Sequence, residues 1–204
     1  MIKEQSVRRL RLYLIEMLRL SLQTVDCATK AYALGLVEFA LYASKEREKL
    51  EQINQAIIAA AQELQNAREN DGLQLGFSDS ARAISAALFS TCQHAYDVSS
   101  HTTALLCEGK HHGLRELTQL GEHINSSLRL CIVAFIKQKV EYTETVLRGM
   151  DEWRCGFIER PWRPEFTPAG FASDVYEWSI AASFERMMEN LCTVAVASMA
   201  IIPH

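Results

Sequence analysis

The first 160 residues of this 204-residue chain contain no proline, because all four prolines lie further on, at Pro161, Pro164, Pro168 and Pro203. Proline removes a backbone donor and breaks helices, so a proline-free run of this length favours long helices. Only nine glycines accompany it, which is too few for the closely spaced turns of an all-β fold. Hydrophobic residues make up 49% of the chain, as a packed core requires. We therefore expect an all-α globular protein.

Apolar residues recur at every third or fourth position, the spacing of one helix face, over six stretches of the chain. The six stretches are 6–43, 50–65, 78–106, 114–139, 140–157 and 173–201. Gly35 is expected to bend or split the first of them. Ser78 is predicted to be the N-cap of the third, with Asp79 in its first turn, since hydroxyl and acidic groups stabilise that end of a helix.

The segment 109–113, Gly-Lys-His-His-Gly, interrupts the helical pattern near the middle of the chain. Residues 31–39 and 134–142 share an alanine followed by an aromatic residue and, at equal spacing, a Val-Glu-aromatic group. These shared residues favour an internal repeat, although two amphipathic helices can also share them by chance. We predict two three-helix repeats, residues 1–108 and 109–204, with His111 and His112 in an exposed loop between them.

Several functional classes lack support in the sequence. The net charge of −4 argues against a nucleic-acid-binding protein, whose contact surface is normally basic. The chain has neither a GxxxxGK nor a GxGxxG phosphate loop, and it lacks the paired Glu-x-x-His motifs of a di-iron bundle. Without a signal-peptide core or an apolar span of about 18 residues, the chain is predicted to be cytoplasmic.

The cysteines form no CxxC pair, so zinc-finger and thioredoxin-like sites are not indicated. Cys27, Cys92, Cys131 and Cys192 stand within apolar runs. We expect these four to act as small buried hydrophobic residues, which is the usual role of a free cysteine.

Five short segments stand in order along the chain, namely 31–40, 44–53, 92–97, 117–123 and 184–189. They include Gly-Leu-Val-Glu-Phe-Ala and Leu-Glu-Gln-Ile in the first half and Phe-Glu-Arg-Met-Met-Glu in the second. In order and spacing they resemble the PhoU family of phosphate-signalling regulators. The resemblance covers nearly the whole chain and implies two fused three-helix bundles related by an internal repeat.

The PhoU family carries a metal-associated signature, an acid followed by three residues and an aspartate. The corresponding pairs here are Ser44 and Glu48, Gln93 and Asp97, Asp151 and Cys155, and Glu185 and Glu189. Only the last pair keeps two carboxylates, the donors that hard cations prefer. The resemblance thus predicts either no cofactor or a single divalent or iron-type ion. A solvated acidic face is the alternative for the last pair. The candidate ligands are Glu48, Asp97, Asp151, Glu185 and Glu189.

The proline-rich loop from residue 160 to residue 171 is the part least like the family. Its Pro-x-x-Pro spacing favours polyproline II geometry, and tryptophan and arginine are frequent in interface hot spots. Arg160, Trp162, Arg163 and Phe166 are therefore predicted to bind a partner. The alternative is that Trp162 covers the end of the second bundle.

The resemblance implies a regulator of phosphate uptake and phosphate-starvation signalling that is not an enzyme. Its implied partners are a phosphate ABC transporter and a sensor histidine kinase, and the protein would reach the membrane only through them. The resemblance also allows a homodimer. No nucleic acid is expected as a partner. Two alternatives stay open: a metal-binding helical bundle with a redox or storage role, and a scaffold of the same fold with changed partners.

Overall fold

The computed structural model describes the backbone of residues 2–66, 72–158 and 171–202, and the side chains of 5–66, 76–153 and 175–202. Within these ranges the chain forms seven helices and no strand, which confirms the predicted all-α class. The helices are α1 (Ile2–Leu34), α2 (Val37–Lys45), α3 (Arg47–Asn66), α4 (Gly72–Cys107), α5 (Arg115–Lys137), α6 (Glu141–Ile158) and α7 (Phe171–Met199). None of the helices in the described ranges is long and apolar enough to cross a membrane.

The seven helices make six rods, because only Glu46 separates the end of α2 from the start of α3. α1, the α2–α3 rod and α4 pack into one three-helix bundle. α5, α6 and α7 pack into a second. The predicted architecture of two tandem three-helix bundles is thereby confirmed.

Gly35 splits the first predicted helix rather than bending it. Its φ of +64° lies in the left-handed region, which glycine adopts without steric cost and which commonly ends a helix. The Gly35 amide donates to the Ala31 carbonyl at 2.9 Å, and the chain then turns into α2. The expected helix over 6–43 is therefore two helices.

The prediction of an N-cap at Ser78 is wrong, because α4 already begins at Gly72. Ser78 is fully buried in this helix, and its hydroxyl donates to the Ala61 carbonyl of α3 at 3.4 Å. Helix propensity is a weak guide that packing overrides. Here α4 packs against α3, and the helix includes the six residues before Ser78, whose local sequence does not favour a helix.

The hydrophobic core continues from one bundle into the other. In α5, the buried apolar residues recur every three or four positions and so form one face. They are Leu117, Leu120, Ile124, Leu128, Cys131, Ala134 and Phe135. Between the bundles, α1 packs against α5, and α4 packs still more extensively against α7. The core thus crosses the predicted boundary at residue 108, and the division into two repeats stays a prediction.

α1 and α5 lie close together at Gly121. A Cβ atom at this position would lie 2.6 Å from both Cγ2 and Oγ1 of Thr29, and 3.1 Å from Cε1 of Phe184. Such distances are well below van der Waals contact. The lack of a side chain at Gly121 therefore allows α5 to pack this closely against Thr29 of α1.

The segment between α4 and α5 is anchored on the end of α1. His111 Nε2 donates to the Tyr32 carbonyl at 2.6 Å, and the Leu114 amide donates to the Tyr32 hydroxyl at 3.0 Å. Carbonyls in the last turn of a helix have no hydrogen-bond partner within the helix. His111 supplies a donor to one of these carbonyls, that of Tyr32. The prediction that both histidines are exposed is therefore correct for His112 and wrong for His111, which is half-buried.

Candidate functional site

The five carboxylates predicted to bind metal lie on four different helices. Glu48 is in the first turn of α3, Asp97 is on α4, Asp151 is on α6, and Glu185 and Glu189 are on α7. All five are exposed. Among the side chains that the structure describes, no three Asp, Glu, His or Cys residues come together as a group that could hold one ion.

In the first bundle, an arginine occupies the contact between α3 and α4. The guanidinium carbon of Arg47 lies 5.8 Å from the centre of the Tyr96 ring, a cation–π contact, and its Nε lies 3.5 Å from Oε1 of Glu51. The hydroxyl of Ser44, the neutral member of the first predicted pair, donates to the Leu41 carbonyl at 2.9 Å. The hydroxyl of Ser44 is thus already engaged, and the positive charge of Arg47 lies next to Glu48 in the sequence.

In the second bundle, Glu185 and Glu189 keep the spacing of one helix face, but an arginine lies beside them. Arg186 Nη1 donates to Glu189 Oε2 at 2.9 Å. Burial raises the pKa of Glu185, the charge of Glu189 raises it further, and Arg186 lowers it. The side chain of Cys155, which pairs with Asp151 in the family pattern, lies outside the described residues. The metal assignment stays a prediction that depends mainly on the α7 pair.

The described cysteines of the core are protonated packing groups. Burial raises the pKa of both Cys92 and Cys131 to about 12. Burial and the neighbouring Asp26 charge also raise the pKa of Cys27. Metal binding and nucleophilic attack require the thiolate, which these surroundings disfavour. Predicted burial is confirmed for these three cysteines, and Cys192 is half-buried.

An open groove of about 470 Å³ lies between the start of α1 and the end of α5. Its lining residues are Val7, Arg8, Arg11, Leu12, Ile15, Phe135, Ile136 and Gln138. Leu12 and Ile136 are large apolar side chains, yet they are 59% and 55% exposed. Among the described residues that line the groove, the charged ones are both arginines. A helix with an apolar face and acidic flanks is complementary to such a surface.

The residues predicted to bind a partner in the proline-rich loop, Arg160, Trp162, Arg163 and Phe166, lie outside the described residues. Their assignment stays a prediction. Sequence reasoning did not single out the α1–α5 groove, because its two walls come from residues more than a hundred positions apart. Exposed leucine and isoleucine within an amphipathic helix carry only a weak signal of their own.

Sequence reasoning also missed a histidine site between α5 and α6. The His123 ring lies with its centre 5.2 Å from that of the Trp153 ring. A Cβ atom at Gly149 would lie 3.3 Å from His123 Cε1, so the backbone of α6 approaches the ring closely. His123 Nε2 is buried and has no hydrogen-bond partner among the described residues. Burial lowers the pKa of His123, and the charge of Glu152 partly offsets this effect.

The His123 site predicts a pH dependence of stability. The unfolded chain takes up the His123 proton near pH 6.5 and the folded chain takes it up only at lower pH. Between these two pKa values the unfolded state binds more protons, so this group's contribution to stability falls as the pH drops below about 6.5. When the pH is lowered from about 7.5 to about 5, the free energy of unfolding is expected to fall less in His123→Gln than in the wild type. Urea unfolding at several pH values checks this, and parallel losses in both proteins would contradict it.

The order and packing of the helices define a protein of the PhoU fold, with two tandem three-helix bundles. The structure is similar to the crystal structure of PhoU from Pseudomonas aeruginosa, with a TM-score of 0.80 and 15% sequence identity over 98% of each chain. It is also similar to the phosphate transport system regulatory protein PhoU from Streptococcus pneumoniae, with a TM-score of 0.75 and 16% identity over 98% of this chain and 96% of that one. No protein-family model and no curated protein matches the sequence. The predicted resemblance is therefore confirmed at the level of the fold.

Proposed function

We propose that this protein is a regulator of phosphate uptake and phosphate-starvation signalling that acts by binding other proteins and not by catalysis. The observation that carries this proposal is the likeness of the whole fold to the two PhoU structures. One of those structures is described as a phosphate transport system regulatory protein. Because a fold alone does not fix a function, the proposal also needs a surface that could bind a partner.

The α1–α5 groove is the surface that we assign to partner binding. Leu12 and Ile136 offer an apolar contact to the face of an amphipathic helix. Arg11 is held in place at the rim, because its Nη2 donates to the Ile201 carbonyl at 3.3 Å and its guanidinium lies 5.8 Å from the centre of the Phe77 ring. A side chain that is already ordered loses less conformational entropy when an acidic partner residue binds.

The proposed partners are the cytoplasmic faces of a phosphate ABC transporter and of a sensor histidine kinase. The protein would be cytoplasmic and would reach the membrane only through them. Arg160, Trp162, Arg163 and Phe166 form a second proposed contact, since tryptophan and arginine are common in interface hot spots. Neither a catalytic residue nor nucleic acid has a role in this proposal.

Capture of partners from a cell lysate by tagged protein tests the proposal. The wild-type chain is expected to recover components of a phosphate transporter or a sensor kinase. Leu12→Glu combined with Ile136→Glu is expected to reduce recovery by about tenfold or more, because carboxylates then replace the apolar contact and repel an acidic partner. Val196→Glu is the matched control, since Val196 on α7 is 59% exposed, as Leu12 is.

Two results would contradict the proposal. The first is recovery of neither transporter nor kinase components under conditions in which a standard PhoU protein recovers them, which would favour a scaffold with changed partners. The second is stoichiometric iron in protein purified without added metal, if Glu185→Ala combined with Glu189→Ala abolishes it. That result would favour the metal-binding alternative with a redox or storage role.

A further inference from the structure

The α1–α5 groove lies between two antiparallel helices. Thr29, near the end of α1, lies beside Gly121, near the start of α5. Residues 7–15, in the first half of α1, lie beside residues 135–138, at the end of α5. Position 138 is therefore at the same end of the groove as the first of the α1 residues. The order of the side chains along both walls follows from this arrangement.

All three polar residues that line the groove lie at one end of it. They are Arg8 and Arg11 on α1 and Gln138 after the end of α5. About one turn further along α1 and one turn back along α5, the lining residues are Ile15 and Phe135, which are both apolar. A ligand that matches this arrangement carries a polar head on an apolar chain.

The charge at the polar end selects an anionic head. Within the described side chains, no carboxylate forms a salt bridge with Arg8 or Arg11. The Arg11 guanidinium donates one hydrogen bond to the Ile201 carbonyl and keeps further N–H donors for a ligand. Arginine binds phosphate and carboxylate groups through paired hydrogen bonds. Residues three apart are neighbours on a helix face, so both arginines can contact one such group.

Gln138 has a backbone conformation that is unusual for a residue with a side chain. Its φ is +52°, and no other non-glycine residue in the described ranges has a positive φ. Glycine adopts this left-handed conformation after the end of a helix at lower steric cost. Residues held in such conformations concentrate at ligand-binding and active sites. Glutamine at this position therefore lowers stability, but it places an amide donor at the cationic end of the groove.

We propose that the α1–α5 groove binds a single-chain anionic amphiphile, which is an alkyl or acyl chain with a phosphate or carboxylate head. The head lies between Arg8 and Arg11 and accepts a hydrogen bond from the Gln138 amide. The chain lies against Leu12 and Ile136 and covers their exposed apolar surface. The groove volume of about 470 Å³ is within the roughly 300–1,000 Å³ that is usual for small-molecule sites.

The amphiphile would also control the binding of a partner to the groove. It has the two features of the partner helix assigned to this surface, an apolar body and a negative charge. Both occupants need the same residues, so the binding of one excludes the other. This regulation rests on the function proposed above, whereas the binding of the amphiphile does not.

Isothermal titration calorimetry of the purified chain with decyl phosphate and with decanoate, each below its micelle concentration, tests the site. A dissociation constant of about 10–100 μM is expected for one or both. Binding of either probe supports the site, and the tighter of the two identifies the head group. Inorganic phosphate lacks the chain and decyl maltoside lacks the charge, so we expect both to bind about tenfold more weakly or less. Equal binding of either control compound would overturn the inference.

Arg8→Gln combined with Arg11→Gln is expected to weaken binding of the tighter probe about tenfold or more, because the paired hydrogen bonds to its head are lost. Arg19→Gln is the matched control and is expected to bind as the wild type does, since Arg19 is also exposed on α1 but does not line the groove. Equal affinities of the wild type and the double variant would contradict the site. Circular dichroism confirms that each variant is folded.

Gln138→Gly separates a ligand-binding role of this residue from a structural one. Glycine adopts the left-handed conformation freely, so the midpoint of thermal unfolding is expected to stay the same or to rise. Binding of the tighter probe is nevertheless expected to weaken, because the amide donor is lost. A purely structural role of Gln138 would not produce this combination, and unchanged affinity would remove Gln138 from the site.

Elution of captured partners by the bound probe tests the regulation. The tighter probe is expected to release the partners from the tagged chain, and decyl maltoside is expected to leave them bound. Retention of the partners at saturating probe would overturn the competition. If the purified chain binds a probe but captures neither proposed partner, the proposed function fails and the ligand site stands. If the chain captures its partners but binds neither decyl phosphate nor decanoate, the ligand site is wrong and the proposed function stands.

Discussion

Gly121→Ala is expected to lower the free energy of unfolding by about 1–3 kcal/mol, the usual cost of overpacking a close helix contact. The new methyl group would lie 2.6 Å from two atoms of Thr29, whose β-branched side chain has few alternative rotamers. Alanine gains up to about 1 kcal/mol over glycine in helix propensity, which offsets part of this loss. Urea unfolding followed by circular dichroism measures the difference.

Gly76→Ala provides the control for Gly121→Ala. Gly76 also lies within a helix, α4, but a Cβ atom there would have no neighbour within 4 Å. We expect this variant to be more stable than the wild type by up to about 1 kcal/mol. Adding Thr29→Ala to Gly121→Ala removes the two nearest clashing atoms and is expected to recover stability relative to the sum of the single changes. Similar effects of the two glycine substitutions would contradict the close crossing of α1 and α5.

Tyr32→Ala is expected to destabilise the protein by about 3–5 kcal/mol, as is usual for removal of a large buried aromatic side chain. Tyr32 is fully buried, and its ring lies 6.4 Å from that of Phe184 and 5.6 Å from that of His111. Tyr32→Phe keeps most of this packing but leaves the Leu114 amide without its acceptor, which costs about 1–3 kcal/mol. The two variants together separate packing from hydrogen bonding in thermal and urea unfolding.

Tyr42→Phe is the matched control for Tyr32→Phe. The Tyr42 hydroxyl also accepts a hydrogen bond, from Gln23 Nε2 at 3.0 Å, but this contact is exposed. Water can replace the lost partner there, so we expect a change within about 0.5 kcal/mol. If Tyr32→Phe is equally mild, the hydrogen bond that joins α1 to the start of α5 contributes little to stability.

Periodic apolar spacing predicts the helices well wherever one face is clearly buried. The predicted stretch 114–139 and the observed Arg115–Lys137 differ by at most two residues at either end. The prediction fails where local signals and packing disagree. α4 begins six residues before Ser78, since its contact with α3 stabilises a helix that the local sequence does not favour. Gly35 signals a break, but whether the helix bends or splits there depends on what the next segment packs against.

The surfaces of the protein were less predictable than its helices. The contact of Arg47 with Tyr96 depends on the register between α3 and α4, which no single-helix pattern specifies. The environment of His123 likewise depends on Trp153 of another helix. Which side of α7 is exposed could likewise be recognised only after the packing of α7 against α4, α5 and α6 was known.

The packing of α1 against α5 and of α4 against α7 has a consequence for the order of events during synthesis. When the ribosome has released only the first bundle, the sides of α1 and α4 that belong to the shared core have no partner. The last turn of α1 also lacks the contacts that His111 and Leu114 make with Tyr32. These sides remain available to chaperones or to other nascent chains until α7, the last helix, has emerged.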